Sequence, residues 1–381
     1  MQPDVTYCIL RPGPVLVTWR KAQILITNYD FFRTHVDDLI ALEPDVVVMD
    51  ESHKIKNPHA RQAKMAHKLA KVARFRLALT GTPIGNRPLD LWSQFRFIKP
   101  DLLDDKFKDF KQNYAVWGGF GGFELRKYKN LRGLARLIHP YTRSLRKEDL
   151  AELPAKNFIE VPIDLPHSAK KLYKQMEEEF VAYVNEETTI SAPIVLAKLA
   201  KLSQISGGFI HDTETDADFL LHTAKLDAVS EIVSELKEAG TERVVIFARF
   251  LWELKSIRER LTDWCVYQIS GEIPQKGRDL AIKLFNRDGG VMLCQTSSGS
   301  AGINLQAANY CIFYSLNYSL IDYLQAQDRI HRIGQKKPCF YHVLLAKGTI
   351  DRRVYNILKQ KKDVSDEVIN LVEDIKKGKL V

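Results

Sequence analysis

Two carboxylates and a histidine directly follow an apolar run in the segment VVVMDESHKIKNP. The run Val46–Met49 predicts a buried strand, and Asp50, Glu51 and His53 come immediately after it. Open parallel sheets bind their ligands at the carboxyl ends of the strands. There an aspartate can hold magnesium, and a neighbouring glutamate can orient and polarise an attacking water. The pattern indicates a nucleotide-hydrolase site, although Asp-Glu pairs are also common at solvated strand ends.

The segment LTGTPIGN follows a later apolar stretch and supplies two hydroxyl groups. Thr80 and Thr82 flank Gly81, which permits a tight turn. Taken alone, the segment is typical of an ordinary strand-to-helix turn capped by threonine.

A third segment, QTSSGSAGINLQAAN from Gln295 to Asn309, is rich in serine and glycine and follows a predicted strand. Small residues let backbone N–H groups approach phosphate oxygens closely. Taken alone, however, such a loop is more often a flexible connector.

The segment QAQDRIHRIGQ, from Gln325 to Gln335, has the most specific pattern in the chain. Arg329 and Arg332 are spaced i, i+3, so we expect them to share one helical face. Two guanidinium groups on one face suit the terminal phosphate of a nucleotide, where arginine neutralises the charge that develops in phosphoryl transfer. The alternative is a pair of ion-pairing surface arginines.

The length and composition of the chain limit the classes of protein to which it can belong. A chain of 381 residues can form two or three domains, each with its own core, and 45% hydrophobic with 27% charged residues is typical of soluble globular proteins. No apolar run approaches the length of a membrane span, and the N-terminus does not resemble a secretory signal. Five cysteines without a CxxC pair argue against a zinc site, and a net charge of +9 favours a polyanionic partner.

Strand and helix patterns alternate in the first hundred residues. Strands are predicted within 22–32, 44–50 and 75–83, and the spacing of apolar residues predicts a helix over 60–73. Since the strands are almost continuously apolar, we expect a parallel sheet covered on both faces.

The pattern changes along the rest of the chain. From Pro100 to Ser206 it is mainly helical, and the glycine pairs at 118–119 and 121–122 predict a loop between helical pieces. Strand–helix alternation returns from Lys225, and the residues from Asp351 onward are charged and helical. The fold class is therefore α/β, with two doubly wound units and a helical region between them.

The motifs occur in the order DESH, LTGTP, SxGxxGINL and QxxxRxHRIGQ, and together they resemble the helicase-like ATPase core of the Swi/Snf family in helicase superfamily II. VIFARF resembles the opening strand of that family's second RecA-like domain. ISGEIPQKGRDLAIKLFN resembles the segment that follows, through Gly271, Arg278 and Phe285. YTRSLRKEDLAELPAK resembles the junction between the lobes. The DESH box is similar to that of a branch with bacterial, phage and annealing-helicase members.

The resemblance implies two RecA-like doubly wound parallel-sheet lobes, the first one incomplete, with helical insertions between them. A partial first lobe is expected over residues 1–100, and helical insertions with the inter-lobe junction over 101–224. The second lobe, of the helicase C-terminal type, is expected over 225–350, followed by a charged helical segment over 351–381.

The resemblance also implies roles for single residues. Asp50 would bind magnesium-ATP, and Glu51 would position the water. His53 and the turn of Thr80, Gly81 and Thr82 would couple the nucleotide to DNA and to lobe closure.

In the second lobe, the resemblance implies a nucleotide-binding set at the lobe interface. Gly302 and Asn304 would lie there, and Gln325 would reach across it. Arg329 and Arg332 would also reach across and act on the γ-phosphate as arginine fingers.

The activity implied is that of a DNA-dependent ATPase that uses ATP and magnesium to move along double-stranded or branched DNA. Contacts to the phosphate backbone would make DNA binding salt-dependent. Candidate DNA contacts are Thr296 and Ser297 in the serine-rich loop, and Lys54 and Lys56 beside the DESH box. From position 54 to 76 the chain has eight Lys or Arg and no Asp or Glu, which fits a DNA-facing helix or a solvated basic face.

The sequence departs from the family at the phosphate loop. No GxxxxGK[ST] occurs in the chain, and only 49 residues precede Asp50. We therefore expect a first lobe that lacks its first strand, its phosphate loop and the helix that this loop caps. The open strands would expose a hydrophobic sheet edge and lower the solubility of the chain.

Three functions follow from these observations. The first is a truncated or split DNA-dependent ATPase, with the phosphate loop on an upstream fragment as a further partner. The second is a DNA-binding or protein-docking module without hydrolysis. The third, a metal-dependent nuclease using Asp50 and Glu51, is disfavoured because no second carboxylate–histidine cluster accompanies the pair. We expect a monomer without a membrane partner. A bacterial or phage-encoded protein of this kind would be cytoplasmic, and a eukaryotic one would be nuclear.

Overall fold

The computed structural model describes residues 5–10, 19, 21–119, 124–145, 153–186, 192–297 and 302–377. The chain divides into two compact units. The first contains Met1–Ser144 together with Lys361–Val381, and the second contains Leu145–Gln360. Within the described residues, no helix has both the length and the apolar character needed to cross a membrane.

The strands of the first unit form two parallel pairs. Strand β1 (Tyr7–Ile9) pairs with β2 (Ile24–Ile26), and β3 (Val46–Met49) pairs with β4 (Phe75–Ala78). Because parallel strands need a long crossover, a helix must lie between β3 and β4. The three strands predicted within the first hundred residues and the helix between the last two are confirmed. The helices of this part are α1 (Tyr29–Thr34), α2 (Val36–Ile40) and α3 (Arg61–Leu69).

One face of the β3–β4 pair is covered and the other is not. Val47 and Met49 are 8% and 7% exposed and share a core with residues of α1, α2 and α3. The alternate side chains of both strands are about half exposed, and we call this set the bare face. The expectation of a sheet covered on both faces is wrong for these strands, because all three helices pack on the same side. The bare face consists of Val46 (51% exposed), Val48 (50%), Phe75 (54%) and Leu77 (52%).

The rest of the first unit is built on a second core. Helices α4 (Leu91–Ile98), α5 (Phe107–Tyr114) and α6 (Leu131–Ile138) surround an antiparallel pair, β5 (Ala115–Gly118) with β6 (Glu124–Tyr128). The first glycine pair, at 118–119, therefore lies at the end of a strand and does not join helical pieces; the second pair lies outside the described residues. Cross-strand pairing stabilises this hairpin, and the local pattern of apolar residues does not encode it.

The second unit contains a parallel sheet of six strands. Strand β7 (Lys156–Ile163) lies at one edge, and β8 (Phe209–Asp212) and β9 (Ala217–Leu220) form a separate antiparallel hairpin. The other strands of the sheet are β10 (Arg243–Ala248), β11 (Val266–Ile269), β12 (Gly290–Gln295), β13 (Tyr310–Phe313) and β14 (Cys339–Ala346). The order across the sheet is β11-β12-β10-β13-β14-β7, and every neighbouring pair is parallel. The predicted α/β class is confirmed.

This sheet is covered on both faces. Val245 and Phe247 of β10 belong to one core, and Val244 and Ile246 belong to the other. All four side chains are fully buried. The helices of the unit are α7 (His167–Glu186), α8 (Ala192–Gly207), α9 (Ala224–Glu238), α10 (Leu251–Arg260), α11 (Gln275–Asp288), α12 (Leu320–Ile330) and the start of α13 (Ile350–Lys376), whose residues from Lys361 belong to the first unit.

Candidate active site

The two carboxylates of the DESH box lie at the carboxyl end of β3. The side chain of Asp50 is exposed, and that of Glu51 is 43% exposed. Glu51 has a left-handed backbone with φ of 50° and ψ of 50°, which is uncommon for a residue with a side chain. The N–H of Glu51 donates to Oδ1 of Asp50 at 2.9 Å. Both carboxylates therefore lie where a ligand at the strand end can meet them.

His53 links the DESH box to the LTGTP turn. Its Nδ1 lies 3.1 Å from Oε2 of Glu51 and 3.3 Å from Oγ1 of Thr80. Burial, and then the charges of Lys56 and Lys54, lower the pKa of His53 to about 4, so the ring is neutral at pH 7. The hydrogen bond of Nδ1 is the one with Thr80, and its approach to Oε2 of Glu51 is a close contact without hydrogen-bond geometry.

Tyr29 fixes the end of β3 from a neighbouring element. Its hydroxyl donates to the carbonyl of Asp50 at 2.7 Å. Burial, followed by the charges of Asp50 and Glu51, raises the pKa of Tyr29 above its ordinary value, so the phenol remains a donor. Sequence reasoning missed this residue. Its position shortly after β2, where a strand end carries polar and aromatic residues, was the available signal.

Gln94 joins the same two motifs through the protein interior. Ser52 donates from Oγ to Oε1 of Gln94 at 2.9 Å, and Nε2 of Gln94 donates to the carbonyl of Pro83 at 2.7 Å. Ser52 is fully buried and Gln94 is 2% exposed. The N–H of Ser52 also donates to the carbonyl of Leu79 at 2.9 Å. The amide of Gln94 on the mostly apolar helix α4 was the signal that sequence reasoning overlooked.

The LTGTP turn closes through a threonine. Oγ1 of Thr80 accepts a hydrogen bond from the N–H of Thr82 at 3.1 Å. A Cβ added at Gly81 would meet no atom within 4 Å, and Gly81 is not among the residues with positive φ. Sequence reasoning noted that Gly81 permits a tight turn, but the backbone here does not use the conformational freedom of a glycine.

The exposed carboxylate of Asp50 at the end of β3 fits a magnesium ion. Magnesium prefers oxygen ligands and usually keeps several waters, with one or two carboxylates and substrate phosphates completing its shell. Asp50 offers an exposed carboxylate of this kind. In the part of the chain that the structure describes, no three His, Cys, Asp or Glu side chains converge into a metal cage. Asp50 therefore fits a shell completed by water and phosphate.

The two arginines of QAQDRIHRIGQ do not share a helical face. Helix α12 ends at Ile330, and His331 leaves the helical conformation with φ of −99° and ψ of 83°. That expectation is wrong because the helix ends between the arginines. Arg329 is 8% exposed and its Nη1 donates to the carbonyl of Ile303 at 3.1 Å, whereas Arg332 is exposed.

The GINL segment packs against the end of α12. The N–H of Leu305 donates to the carbonyl of Arg329 at 3.1 Å, and Oδ1 of Asn304 accepts from the N–H of Gln306 at 3.2 Å. Gly302 has a positive φ of 65°, and Gln325 is half-buried on α12. The second unit thus brings these motif residues together. Residues 298–301 of the serine-rich loop lie outside the described residues.

The four candidate DNA contacts differ in exposure. Thr296 is 3% exposed, and its Oγ1 donates to the carbonyl of Ala248 at 3.0 Å, so its hydroxyl is engaged inside the fold. Ser297 and Lys54 are exposed. Lys56 is half-buried, and its charge acts on the buried carboxyl of Asp90. Ser297 and Lys54 are therefore the two of the four that present a fully exposed side chain.

Family models match two successive blocks of the chain. The SNF2-related domain matches residues 16–207, about half of the chain. The chain belongs to the SNF2 family. The helicase conserved C-terminal domain matches residues 224–334, which contain most of the six-stranded sheet.

Relatives of this SNF2-family chain include bacterial and eukaryotic proteins. An uncharacterized ATP-dependent helicase of Mycoplasma genitalium is 31% identical over 360 residues, which cover 93% of this chain and 33% of the relative. The ISWI chromatin-remodeling complex ATPase ISW1 of Saccharomyces cerevisiae is 25% identical over 368 residues, 91% of this chain and 31% of the relative. The chain spans about a third of the length of the curated relatives it matches.

Solved structures of the family are also similar. The Sulfolobus solfataricus SWI2/SNF2 ATPase core in complex with dsDNA aligns with a TM-score of 0.46 and 26% identity. The alignment covers 97% of this SNF2-family chain and 77% of the solved chain.

Proposed function

We propose that this SNF2-family chain is part of an ATP-driven motor that moves along double-stranded DNA. The observation that carries the proposal is the link from Glu51 through His53 to Thr80, with contacts of 3.1 Å and 3.3 Å. It couples a carboxylate suited to water activation to the LTGTP turn. A change at the nucleotide can therefore be transmitted to the rest of the first unit.

The proposed chemistry in the first unit is phosphoryl transfer from ATP to water. Asp50 would hold the magnesium ion, which when bound neutralises charge on the phosphates. Glu51 would accept a hydrogen bond from the attacking water and polarise it. The neutral ring of His53, whose Nδ1 lies 3.1 Å from Oε2 of Glu51, would limit the movement of this carboxylate.

In the second unit, we propose that an arginine side chain binds the γ-phosphate. Arg332 is exposed, so its five N–H donors are accessible to an anion. Arg329 is mostly buried and donates to Ile303, so its main contribution would be to hold the GINL segment in place. Gln325, Gly302 and Asn304 remain proposed nucleotide contacts near these arginines.

The proposed turnover requires a phosphate loop that the sequence does not contain. A GxxxxGK[ST] loop supplies backbone N–H groups and a lysine for the phosphates, and the serine or threonine binds magnesium. Since parallel sheets are covered on both faces, the bare face of β3–β4 also supports the need for a further segment. We expect full activity only when a phosphate-loop segment completes the first lobe.

DNA is the proposed track because the chain has a net charge of +9 and a run of eight basic residues without acidic ones around α3. Phosphate contacts release counterions, so the affinity should fall steeply with salt. Lys54 and Ser297 are the proposed contacts whose side chains are exposed, while Lys56 and Thr296 are less accessible.

The test measures ATP hydrolysis with and without double-stranded DNA, for the chain alone and for the chain mixed with a phosphate-loop fragment, a segment of an SNF2-family protein that carries GxxxxGK[ST]. We expect DNA-stimulated turnover in the mixture and its loss in Glu51→Gln. Glu259→Gln, which changes an exposed glutamate of α10, is the matched control and should keep turnover. Hydrolysis that survives Glu51→Gln would contradict the proposed role of this residue.

A second candidate is a DNA-binding module that does not hydrolyse ATP. The absence of GxxxxGK[ST] from the sequence favours it. It predicts salt-dependent DNA binding that ATP does not change, with no hydrolysis even in the mixture. The same experiment therefore separates the two functions.

A further inference from the structure

The turn from His331 to Lys337 carries Arg332 and is held by two buried side chains. We propose that Gln335 and His331 are positioning residues that fix the backbone from which the exposed guanidinium of Arg332 extends. The inference rests on the proposed function, in which Arg332 meets the terminal phosphate. It adds two residues to which no nucleotide role was assigned from the sequence.

Gln335 uses both ends of its amide. It is 7% exposed, and its Nε2 lies within 3.0 Å of the carbonyl of Gln306, 2.9 Å of that of Ala308 and 3.1 Å of that of Ile330. The amide thus joins the end of α12 to the chain that follows GINL. Its Oε1 accepts from the N–H groups of Lys336 at 3.0 Å and of Lys337 at 2.9 Å.

These contacts require an amide at position 335. A glutamate would lose the two donors and place a charge among carbonyl oxygens, and a methionine would lose every one of the bonds. Since buried carbonyl and N–H groups without partners are costly, either change would loosen the turn. The turn is also closed by the N–H of Gln335, which donates to the carbonyl of Arg332 at 2.9 Å.

His331 is the second anchor, one residue before Arg332. It is 5% exposed, and its Nε2 donates to the carbonyl of Pro154 at 2.8 Å. Gly334 completes the turn with φ of 103°, a conformation that residues with side chains rarely adopt. Arg332 is therefore fixed at its backbone from both sides, by His331 before it and by Gln335 after it.

The guanidinium itself is not fixed. Among the residues that the structure describes, its side chain forms no hydrogen bond or ion pair, so its position depends on the backbone that carries it. A misplacement of about 1 Å in a catalytic group can cost roughly 100-fold in rate. An interaction made only in the transition state affects kcat and leaves KM nearly unchanged.

The first experiment is a double-mutant cycle in the mixture with the phosphate-loop fragment. We expect Gln335→Met to lower kcat roughly 10- to 100-fold with KM for ATP nearly unchanged, as Arg332→Ala does. The double variant should be no slower than Arg332→Ala alone, because Gln335 acts through Arg332. Gln360→Met, on an exposed glutamine of α13, is the control and should behave as the wild type.

A purely structural role for Gln335 would give additive losses in the double variant, and that result would overturn the inference. The second anchor is tested by rescue. His331→Ala should lower kcat, and His331→Gln should restore most of it because a glutamine N–H can still donate to Pro154. Equal losses in both variants would contradict the role of His331.

A second measurement decides the inference when no turnover is seen. In the wild-type chain the amides of Lys336 and Lys337 should exchange slowly with solvent, and Gln335→Met should speed their exchange at least 10-fold. Unchanged exchange rates would overturn the inference that Gln335 holds this turn. Absence of turnover in the wild-type mixture would instead overturn the proposed function, so the two failures are distinguishable.

Discussion

The two units use strands of the same apolar character in different surroundings. In β10 of the second unit, five of the six residues are buried and helices cover both faces. In β3 of the first unit, buried and exposed residues alternate, although four apolar residues follow one another. An apolar run thus shows that a strand can be buried on both faces, whereas the neighbouring helices decide whether it is.

The difference in burial corresponds to a difference in folding free energy. Burying a Val or Leu side chain completely stabilises a fold by about 1.5–3 kcal/mol, so each half-exposed side chain of the bare face leaves roughly 1 kcal/mol unrealised. The strands β1 and β2 add four more half-exposed apolar side chains. These are Tyr7, Ile9, Ile24 and Ile26. The first unit therefore gains stability from any segment that covers these strands.

The largest expected effect compares two phenylalanines. Phe247→Ala, at a fully buried position of β10, should lower the free energy of unfolding by about 3–5 kcal/mol, because it leaves a cavity. Phe75→Ala on the bare face should cost under about 1 kcal/mol. Urea unfolding of both variants measures the difference. Equal losses would show that the bare face is covered in solution.

A buried carboxyl should make the stability of the second unit depend on pH. Burial raises the pKa of Glu253 to about 7, although Ser315, Phe250 and Arg249 donate to it. The folded chain thus holds a proton that the unfolded chain releases above its ordinary pKa of 4.5. The stabilisation by this proton is present below pH 4.5 and is lost as the pH rises to 7.

Glu253→Gln should remove this dependence. At pH 8 the variant should be more stable than the wild type by up to about 3 kcal/mol, and at pH 4.5 the two should be close. Thermal unfolding at both pH values checks this, with Glu259→Gln as the exposed control. The same difference at both pH values would show that Glu253 does not titrate as inferred.

The first unit should respond to pH in the opposite direction. The pKa of His53 is lowered to about 4, so as the pH falls from 6.5 towards 4 the unfolded chain takes up a proton that the folded chain refuses. Stability is therefore lost over this range, by about 1–2 kcal/mol after solvent screening. His53→Gln should flatten the profile of the first unit, measured by the fluorescence of Trp92. A profile as steep as that of the wild type would exclude His53 as the cause.

The smallest expected change in stability is that of a bare-face valine of β3, compared here with its neighbour on the covered face. Val48→Thr, on the bare face, should change the free energy of unfolding by less than about 0.5 kcal/mol and should reduce self-association measured by light scattering. Val47→Thr, on the covered face, should cost about 1–3 kcal/mol because it buries a hydroxyl. Similar costs would contradict the assignment of the two faces.

Local sequence patterns predicted the strands and helices, but they did not predict what packs around them. The apolar run at Val46–Met49 and the helical spacing after residue 60 predicted β3 and α3 correctly. The bare face could not be predicted, because a period-two pattern is invisible when all four residues are apolar. The i, i+3 spacing of Arg329 and Arg332 also misled, since spacing does not show where a helix ends.

The order of the motifs was sufficient to identify the family, and both family models confirm it. The residues that connect the motifs were not predicted. Gln94 and Gln335 each bind backbone atoms of another segment, and such partners are set by tertiary packing. The amide of Gln94 in the mostly apolar helix α4 was a weak signal, and Gln335 lies in a turn without periodicity.

The left-handed backbone at Glu51 bears on how natural selection acts at this position. A residue with a side chain costs roughly 1 kcal/mol or more in this conformation, whereas glycine adopts it freely and asparagine does so with less strain. Selection for stability alone would favour Glu51→Gly or Glu51→Asn in descendants that have lost activity. Under the proposed function, selection for chemistry would keep the glutamate despite this strain, and its replacement by glycine in a lineage would mark a chain that no longer hydrolyses ATP.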